Sequence, residues 1–181
     1  AAFIDGEVSG TPGMVAARKG VIYLAGDADA CKKVEGVVSA FADSCLYFGA
    51  FGAASRVKLV NNLLVAINIA ATAEAMALAL KADVDVPLMI RAIATGSGGS
   101  TQFGIRAPWM AERRFTPVQG PVPTLQHYFG MIDDLAKEVG VATPILDCVK
   151  PLYERFMAMG FGEYDVAKMV DVLGSLPHAE Q

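Results

Sequence analysis

The stretch that decides the fold is Gly49-Ala-Phe-Gly52-Ala-Ala-Ser-Arg-Val-Lys58-Leu-Val-Asn61-Asn62. It opens the longest helical pattern in the chain, because no Gly or Pro stands between Gly52 and Pro87. We predict one helix over residues 53–82, about 30 residues and roughly 45 Å long at ~1.5 Å per residue. We expect an element of this length to form the axis of its domain.

Two polar side chains stand one helical turn apart on this largely apolar segment. Lys58 and Asn62 are four residues apart, so their side chains are neighbours on one face. A lysine with an amide one turn further on can donate a proton and be oriented by that amide. The pair also fits a surface lysine that extends along apolar neighbours beside a capping-type Asn pair, so both interpretations stay open. Another face carries apolar residues at helical spacing: Val57, Val60, Leu64, Ile67 and Ala71.

The composition predicts a protein that buries apolar surface in an assembly. Of the 181 residues, 54% are apolar and 19% are charged, whereas soluble domains usually contain ~45–50% apolar residues. A monomer of this size would struggle to cover that much apolar surface, so we expect a homo-oligomer. The formal net charge is -4 and the sequence has no basic cluster, which argues against a nucleic-acid partner.

Cysteine and histidine are sparse in this chain. Cys31, Cys45 and Cys148 are scattered and odd in number, which fits reduced thiols in a cytoplasmic protein. His127 and His178 stand alone in the sequence, and no spacing typical of zinc ligands is present. We therefore expect no metal site.

The apolar stretch at 59–80 is long enough to raise the question of a membrane span. Polar residues interrupt it along its length: Asn61, Asn62, Asn68, Thr72 and Glu74. We interpret it as the buried helix of a soluble protein and expect no membrane partner.

Residues 1–50 predict a small α/β piece that does not close a core of its own. The predicted elements are a strand at 2–4 that ends at Asp5, strands at 21–25 and 45–48, and a helix from Cys31 to Phe41 capped by Asp29. Three short strands in about 50 residues make a poor independent core. We interpret this piece as the last part of an α/β sheet whose first part lies outside the chain.

A glycine-rich turn follows the first predicted strand. Ser9-Gly10-Thr11-Pro12-Gly13 combines a strand end, a tight turn and the start of a short helix. Backbone N–H groups and a Ser or Thr hydroxyl in such a place can hold a carboxylate. An ordinary tight turn that needs glycine explains the same residues, and the turn is not the G-x-G-x-x-G motif of dinucleotide sites.

The rest of the chain predicts helices joined by short connections. Asp85 and Pro87 begin a helix that runs to Thr95, since Asp caps a helix and Pro suits its first turn. Further predicted helices run to Glu112, from Thr124 to Val139, from Pro144 to Met159 and from Glu163 to Leu173. We predict an all-α domain over residues 51–176 and a loose tail at 177–181.

Several segments together resemble one protein family. Residues 3–13, Phe-Ile-Asp-Gly-Glu-Val-Ser-Gly-Thr-Pro-Gly, resemble a substrate-binding signature, and Gly49-x-x-Gly52 with Lys58-Leu-Val-Asn61-Asn62 resembles a catalytic segment. Further similar residues are Glu74-Ala75, Gly96-Ser-Gly98-x-Ser100 and Gly160-x-Gly162-x-x-Asp165. The family is the β-hydroxyacid dehydrogenases, which includes 3-hydroxyisobutyrate dehydrogenase and tartronate semialdehyde reductase.

The resemblance implies an α-rich fold in which the two parts of the chain belong to different domains. Residues 1–50 would be the C-terminal remnant of a Rossmann domain, and residues 51–176 an all-α, 6-phosphogluconate dehydrogenase-like C-terminal domain. The long helix would link the two, and the helical domains would pair in dimers or tetramers. The cofactor would be NAD or NADP, bound mainly by an upstream domain, and the substrate a small 3-hydroxy acid.

The resemblance also assigns roles to single residues. Lys58 would be the catalytic proton donor and acceptor in the interconversion of a hydroxy acid and its semialdehyde. Partial burial on an apolar helix would bring the pKa of this lysine closer to the working pH. Asn62 would orient Lys58 or bind the substrate. Ser9, Gly10 and Thr11 would hold the substrate carboxylate.

Some positions depart from the family pattern. His127-Tyr128-Phe129 stands where the family has Lys-Asp-Leu, and the family's lysine there lies near the nicotinamide, so His127 becomes a candidate cofactor contact. Gln119 replaces an expected aromatic residue, and Ala54 and Ser55 replace a usual Gly and Gln. These changes leave the identity of the substrate open.

The sequence is compatible with two other functions. A non-catalytic oligomerisation module would keep the fold and lose the chemistry, as the changed His127 region suggests. An imine-reducing relative would share the architecture, but the lysine at position 58 argues against it.

Overall fold

The computed structural model describes residues 2–177. Its contacts divide the chain into two compact units, Ala1–Asn62 and Leu63–Gln181, and the boundary lies inside one helix. The boundary predicted between residues 50 and 51 marks the change from strands to helices, and it stays a prediction. The predicted loose tail at 177–181 lies outside the described residues from position 178 onward.

The first unit is built on a three-stranded sheet with the order β1-β2-β3. The strands are β1 (Ile4–Ser9), β2 (Gly20–Gly26) and β3 (Ala42–Tyr47). β1 pairs antiparallel with β2, and β2 pairs parallel with β3. The prediction that the first strand ends at Asp5 is wrong, because each residue up to Ser9 pairs with β2. β3 likewise begins earlier than predicted, since Ala42 pairs with Gly20. Ladder pairing extends both strands beyond their apolar residues.

Two helices connect the strands. α1 (Pro12–Ala16) lies between β1 and β2, and α2 (Ala28–Val38) lies between β2 and β3. The carboxylate of Asp27 accepts a hydrogen bond from the N–H of Ala30 at 2.8 Å, so Asp27 is the N-cap of α2. The prediction that Asp29 is the cap is therefore wrong, and Asp29 lies in the first turn of a helix that begins earlier than expected.

The central strand β2 supplies the core of this unit from both of its faces. Ile22 and Leu24 pack on the side of α2. Tyr23 and Ala25 point the other way and pack with Ala54, because successive side chains alternate across a strand. Tyr23 thus lies on the face of the sheet where the long helix begins.

The long helix is α3 (Ala53–Ala79), which confirms the predicted element but ends short of residue 82. After Ala79 the N–H groups of Lys81 and Ala82 bond three rather than four residues back, and Asp83 follows with a left-handed φ of 51. By length and composition α3 could cross a membrane, although 44% of its apolar window is buried. The core helix of a soluble protein passes the same test, so this finding is weak evidence for a membrane span.

The second unit is helical beyond the end of α3. Its helices are α4 (Val86–Thr95), α5 (Thr101–Ala111), α6 (Val122–Val139), α7 (Pro144–Ala158) and α8 (Met169–Gly174). Asp85 caps α4 as predicted, and Gly140 ends α6 with a φ of 70. The last helix starts later than predicted, because a short 3-10 turn, Val166–Lys168, precedes it. The α-rich fold with a small sheet followed by helices is confirmed.

A buried ion pair holds the second unit together internally. Asp165 and Arg106 are 0% and 2% exposed, and Nη1 of Arg106 lies 2.7 and 2.9 Å from the two carboxylate oxygens. The same carboxylate accepts hydrogen bonds from the N–H groups of Gln119, Gly120 and Ala167 at 2.8 to 2.9 Å. Asp165 therefore joins α5, the proline-rich segment before α6 and the 3-10 turn.

Candidate functional site

Lys58 lies in the second turn of α3, and its ammonium group reaches β1. Its Nζ donates a hydrogen bond to the carbonyl oxygen of Val8. Burial lowers the pKa of Lys58 below the usual 10.5, and the nearby carboxylate of Glu7 acts in the opposite direction. The loss of hydration is the larger of the two effects. A half-buried lysine with a lowered pKa is suited to give and take a proton.

A second contact fixes the start of α3 against β1. The carboxylate of Asp5, which is 8% exposed, accepts hydrogen bonds from the N–H and the hydroxyl of Ser55 at 3.0 and 2.7 Å. A carboxylate at a helix N-terminus pairs with unsatisfied N–H groups and with the helix dipole. Ser55 and Lys58 are three residues apart on α3, as Asp5 and Val8 are on β1, so the two contacts hold one strand against one helix.

The amide of Asn61 connects the two strands to α3. Its Oδ1 accepts hydrogen bonds from the Ser9 hydroxyl at 3.2 Å and from the Tyr23 hydroxyl at 3.5 Å. Its Nδ2 donates to Oδ1 of Asn62 at 3.2 Å. Asn62 is 6% exposed and Tyr23 is 9% exposed, so one end of this network is buried. We call Ser9, Tyr23 and Asn61 the hydroxyl–amide cluster.

The turn after β1 has a backbone conformation and a close approach that favour glycine at position 10. Gly10 has a φ of 153, and a Cβ there would lie 3.3 Å from the Cα of Gly20. The hydroxyl of Thr11 accepts the N–H of Met14 at 3.2 Å and so caps α1. A hydroxyl that accepts one hydrogen bond still has its own proton to donate. The cap therefore does not use up the donor capacity of Thr11.

The structure brings several predicted residues together and adds others. Ser9 is the last residue of β1, and Lys58 bonds to the carbonyl oxygen of the residue before it, Val8. Asn61, rather than the predicted Asn62, is the amide that bonds to side chains of the sheet. Its spacing of three residues from Lys58 is the signal that could have identified it. Tyr23 also escaped prediction, because an aromatic residue in an apolar strand looks like core.

His127 belongs to the second compact unit. It lies on α6 with an exposed side chain, and its ring makes an edge contact with that of Tyr128 at 5.8 Å. Gln119 uses its backbone N–H to hold Asp165. The assignment of His127 to a cofactor contact stays a prediction.

The donors around Lys58 are suited to a small ligand that accepts hydrogen bonds. A lysine, hydroxyls and an amide are matched to one carboxylate and one hydroxyl or carbonyl oxygen. The sequence has no G-x-G-x-x-G turn to hold a pyrophosphate. Among residues 2–177, no three His, Cys, Asp or Glu side chains are placed to hold a metal ion.

Comparisons with known proteins agree on one family. The family described as "NAD-binding of NADP-dependent 3-hydroxyisobutyrate dehydrogenase" matches residues 52–173. An L-threonate dehydrogenase of Cupriavidus necator is 30% identical over 93% of this chain and 57% of its own length. An NAD-dependent L-serine dehydrogenase of Pseudomonas aeruginosa is 28% identical over 94% of this chain and 60% of its own length.

A solved structure has the same fold. The crystal structure of a 3-hydroxyisobutyrate dehydrogenase from Salmonella typhimurium superposes with a TM-score of 0.84 at 26% sequence identity. The match covers 93% of this chain and 59% of that one. This chain thus spans less than two thirds of the length of the relatives it matches.

Proposed function

Because the chain belongs to the NAD-binding family of 3-hydroxyisobutyrate dehydrogenases, we propose that it transfers the proton and binds the acid in an NAD(P)-dependent dehydrogenase of small 3-hydroxy acids. The family's cofactor is NAD or NADP. When bound, the nicotinamide supplies or accepts the hydride. The observation that carries the proposal is the half-buried Lys58, with a lowered pKa, beside Ser9 at the end of β1.

Lys58 handles the proton at the reacting oxygen of the substrate. In the direction of reduction, its ammonium group polarises the semialdehyde carbonyl and gives that oxygen a proton. In the direction of oxidation, the neutral amine takes the hydroxyl proton. A free lysine is almost fully protonated near neutral pH, so the lowered pKa of Lys58 makes the neutral form more accessible.

The turn after β1 holds the carboxylate of the acid. Ser9 contributes its hydroxyl, and Gly10 and Thr11 contribute the turn itself, with the Thr11 hydroxyl keeping a proton to donate. Asn61 bonds to the Ser9 hydroxyl and is itself held by Asn62, whose predicted role is to orient Lys58 or bind the substrate. His127, which stands where the family has a lysine, stays a candidate for contact with the cofactor.

The substrate class follows from what the relatives are named for. L-Threonate, L-serine and 3-hydroxyisobutyrate each carry a carboxylate and at least one hydroxyl group, which Ser9 and Lys58 would recognise. Homo-oligomerisation and a cytoplasmic location remain expectations from the sequence. The comparisons do not favour the alternative of a non-catalytic oligomerisation module.

Replacement of Lys58 tests the proposed proton transfer. In the intact protein we expect Lys58→Ala to lower kcat by about 10²- to 10⁴-fold, the usual contribution of a general acid or base. Turnover is measured as NAD(P)H absorbance with L-threonate, L-serine and 3-hydroxyisobutyrate. The matched control is Lys33→Ala, which removes an exposed lysine of α2 in the same unit.

The folding of the Lys58→Ala variant has to be followed alongside its activity. We expect its unfolding midpoint to stay close to that of the unaltered protein, because the lysine loses hydration in the folded state. Near-normal turnover by Lys58→Ala would remove Lys58 from the catalytic role.

A further inference from the structure

One oxygen atom in the hydroxyl–amide cluster serves two donors. Asn61 Oδ1 is an acceptor only, so both the Ser9 hydroxyl at 3.2 Å and the Tyr23 hydroxyl at 3.5 Å must donate to it. Bonds between a hydroxyl and an oxygen are usually ~2.7–2.8 Å long. Both contacts are therefore long, as expected where two donors share one acceptor without either being well placed.

The bond from Ser9 conflicts with its proposed role. A serine hydroxyl has a single proton, and here that proton points at Asn61 Oδ1. A substrate carboxylate only accepts hydrogen bonds, so Ser9 must rotate its proton away from Asn61 to bind it. Asn61 Oδ1 then keeps a single donor, the Tyr23 hydroxyl, and without it this partly buried acceptor would be left unpaired at a cost.

The side chain of Tyr23 is held where it can keep this bond. Tyr23 is 9% exposed, and its ring packs edge-on against Phe48 at 5.5 Å. Tyr23 pairs with Glu7 in the β1–β2 ladder, so it is the diagonal neighbour of Ser9 on the same sheet face. The other end of the amide is held too, since Asn61 Nδ2 donates to Asn62.

We propose that Tyr23 is a positioning residue that keeps Asn61 Oδ1 hydrogen-bonded when the Ser9 hydroxyl turns to the substrate carboxylate. Tyr23 does not touch the substrate and acts through Asn61. The exchange keeps the amide in place in both states, so Ser9 is released to bind the acid without leaving an unpaired oxygen behind. This inference rests on the proposed role of Ser9 in carboxylate binding.

Tyr23→Phe in the intact protein removes the hydroxyl and keeps the ring. We expect KM for L-threonate, L-serine or 3-hydroxyisobutyrate to rise roughly 2- to 10-fold, the usual effect of one hydrogen bond, with kcat nearly unchanged. The carboxylate is bound alike in the ground and transition states, so its loss appears in KM. The control is Tyr47→Phe, which removes a hydroxyl that donates to Gly26 at 2.8 Å outside the cluster. We expect it to leave KM unchanged.

A double-mutant cycle separates exchange from a general loss of structure. Ser9→Ala alone should raise KM. Adding Tyr23→Phe to it should raise KM no further, because this variant has no Ser9 hydroxyl to release from Asn61. Additive effects on KM, or a fall in kcat with KM unchanged in Tyr23→Phe, would overturn the exchange.

The same cycle distinguishes the exchange from the function on which it rests. A raised KM in Ser9→Ala with no effect of Tyr23→Phe overturns the exchange and leaves the proposed function intact. An unchanged KM in Ser9→Ala, or no turnover of any of the three acids by the unaltered protein, overturns the assigned role of Ser9 and the exchange together.

Discussion

The Asp165 cluster of the second unit and the hydroxyl–amide cluster of the first unit differ in kind. In the second unit, the Asp165 carboxylate is fully buried and accepts five hydrogen bonds of 2.7 to 2.9 Å. In the first unit, Asn61 Oδ1 is shared by two donors at 3.2 and 3.5 Å in partly buried surroundings. One site is saturated with short bonds, and the other is not.

This difference fits a structural role for the Asp165 cluster and the ligand response proposed for the hydroxyl–amide cluster. Both oxygens of the Asp165 carboxylate are bonded, and a rearrangement would leave the buried Arg106 without its counter-charge. In the hydroxyl–amide cluster the bonds are long, so the exchange of donors proposed above would give up little bonding.

Replacement of the buried carboxylate should have the largest effect on stability. We expect Asp165→Asn to lower the free energy of unfolding by about 3–5 kcal/mol, since Arg106 would be left buried without a counter-charge. Urea unfolding followed by helical circular dichroism measures the change. A loss below about 1 kcal/mol would mean that water reaches Arg106, and the two clusters would no longer differ as described.

Local sequence signals predicted the elements of this fold, and long-range pairing explains what they missed. The long α3, the cap at Asp85 and the stop at Gly140 follow from periodicity and from neighbouring residues. The extension of β1 to Ser9 depends on β2, which stands later in the chain. The pairing of Arg106 with Asp165 joins residues 59 positions apart, which no local pattern reveals.

The candidate site was predictable to the same extent. Lys58, Asn62 and the Ser9 turn followed from spacing and from a family resemblance. Asn61 was visible in the sequence, but only the fold shows that it faces the sheet. Tyr23 became a candidate only in the folded chain, where β2 brings its hydroxyl to Asn61, a residue 38 positions away in the sequence.

The next prediction concerns the effect of Glu7 on the pKa of Lys58. Oxidation of the hydroxy acid requires the neutral amine, so its rate should rise with pH through the pKa of Lys58, which lies below 10.5. Glu7 raises that pKa. Glu7→Gln should therefore shift the rising part of the pH profile of kcat to lower pH. The profile is measured between about pH 6 and 11.

The control for this shift is another acidic residue of the same unit. Glu35 acts on the pKa of Cys45, so Glu35→Gln should leave the pH profile where it is. A shift of the Glu7→Gln profile to higher pH would contradict the proposed electrostatics, because loss of a negative charge cannot stabilise an ammonium group. An unmoved profile would mean that another group limits the rate.

The smallest effect on stability is expected when an exposed aspartate, rather than the buried Asp165, is replaced by asparagine. Asp134 lies three residues before Lys137 on α6, with the Lys137 Nζ 3.7 Å from its Oδ1, and the two side chains are 81% and 78% exposed. Asp134→Asn should lower the free energy of unfolding by at most about 0.5 kcal/mol, because water screens the pair. In about 1 M NaCl even this should vanish, whereas the loss in Asp165→Asn should persist because salt does not reach a buried pair. Equal losses at the two positions would show that burial and bond number do not set the value of these carboxylates.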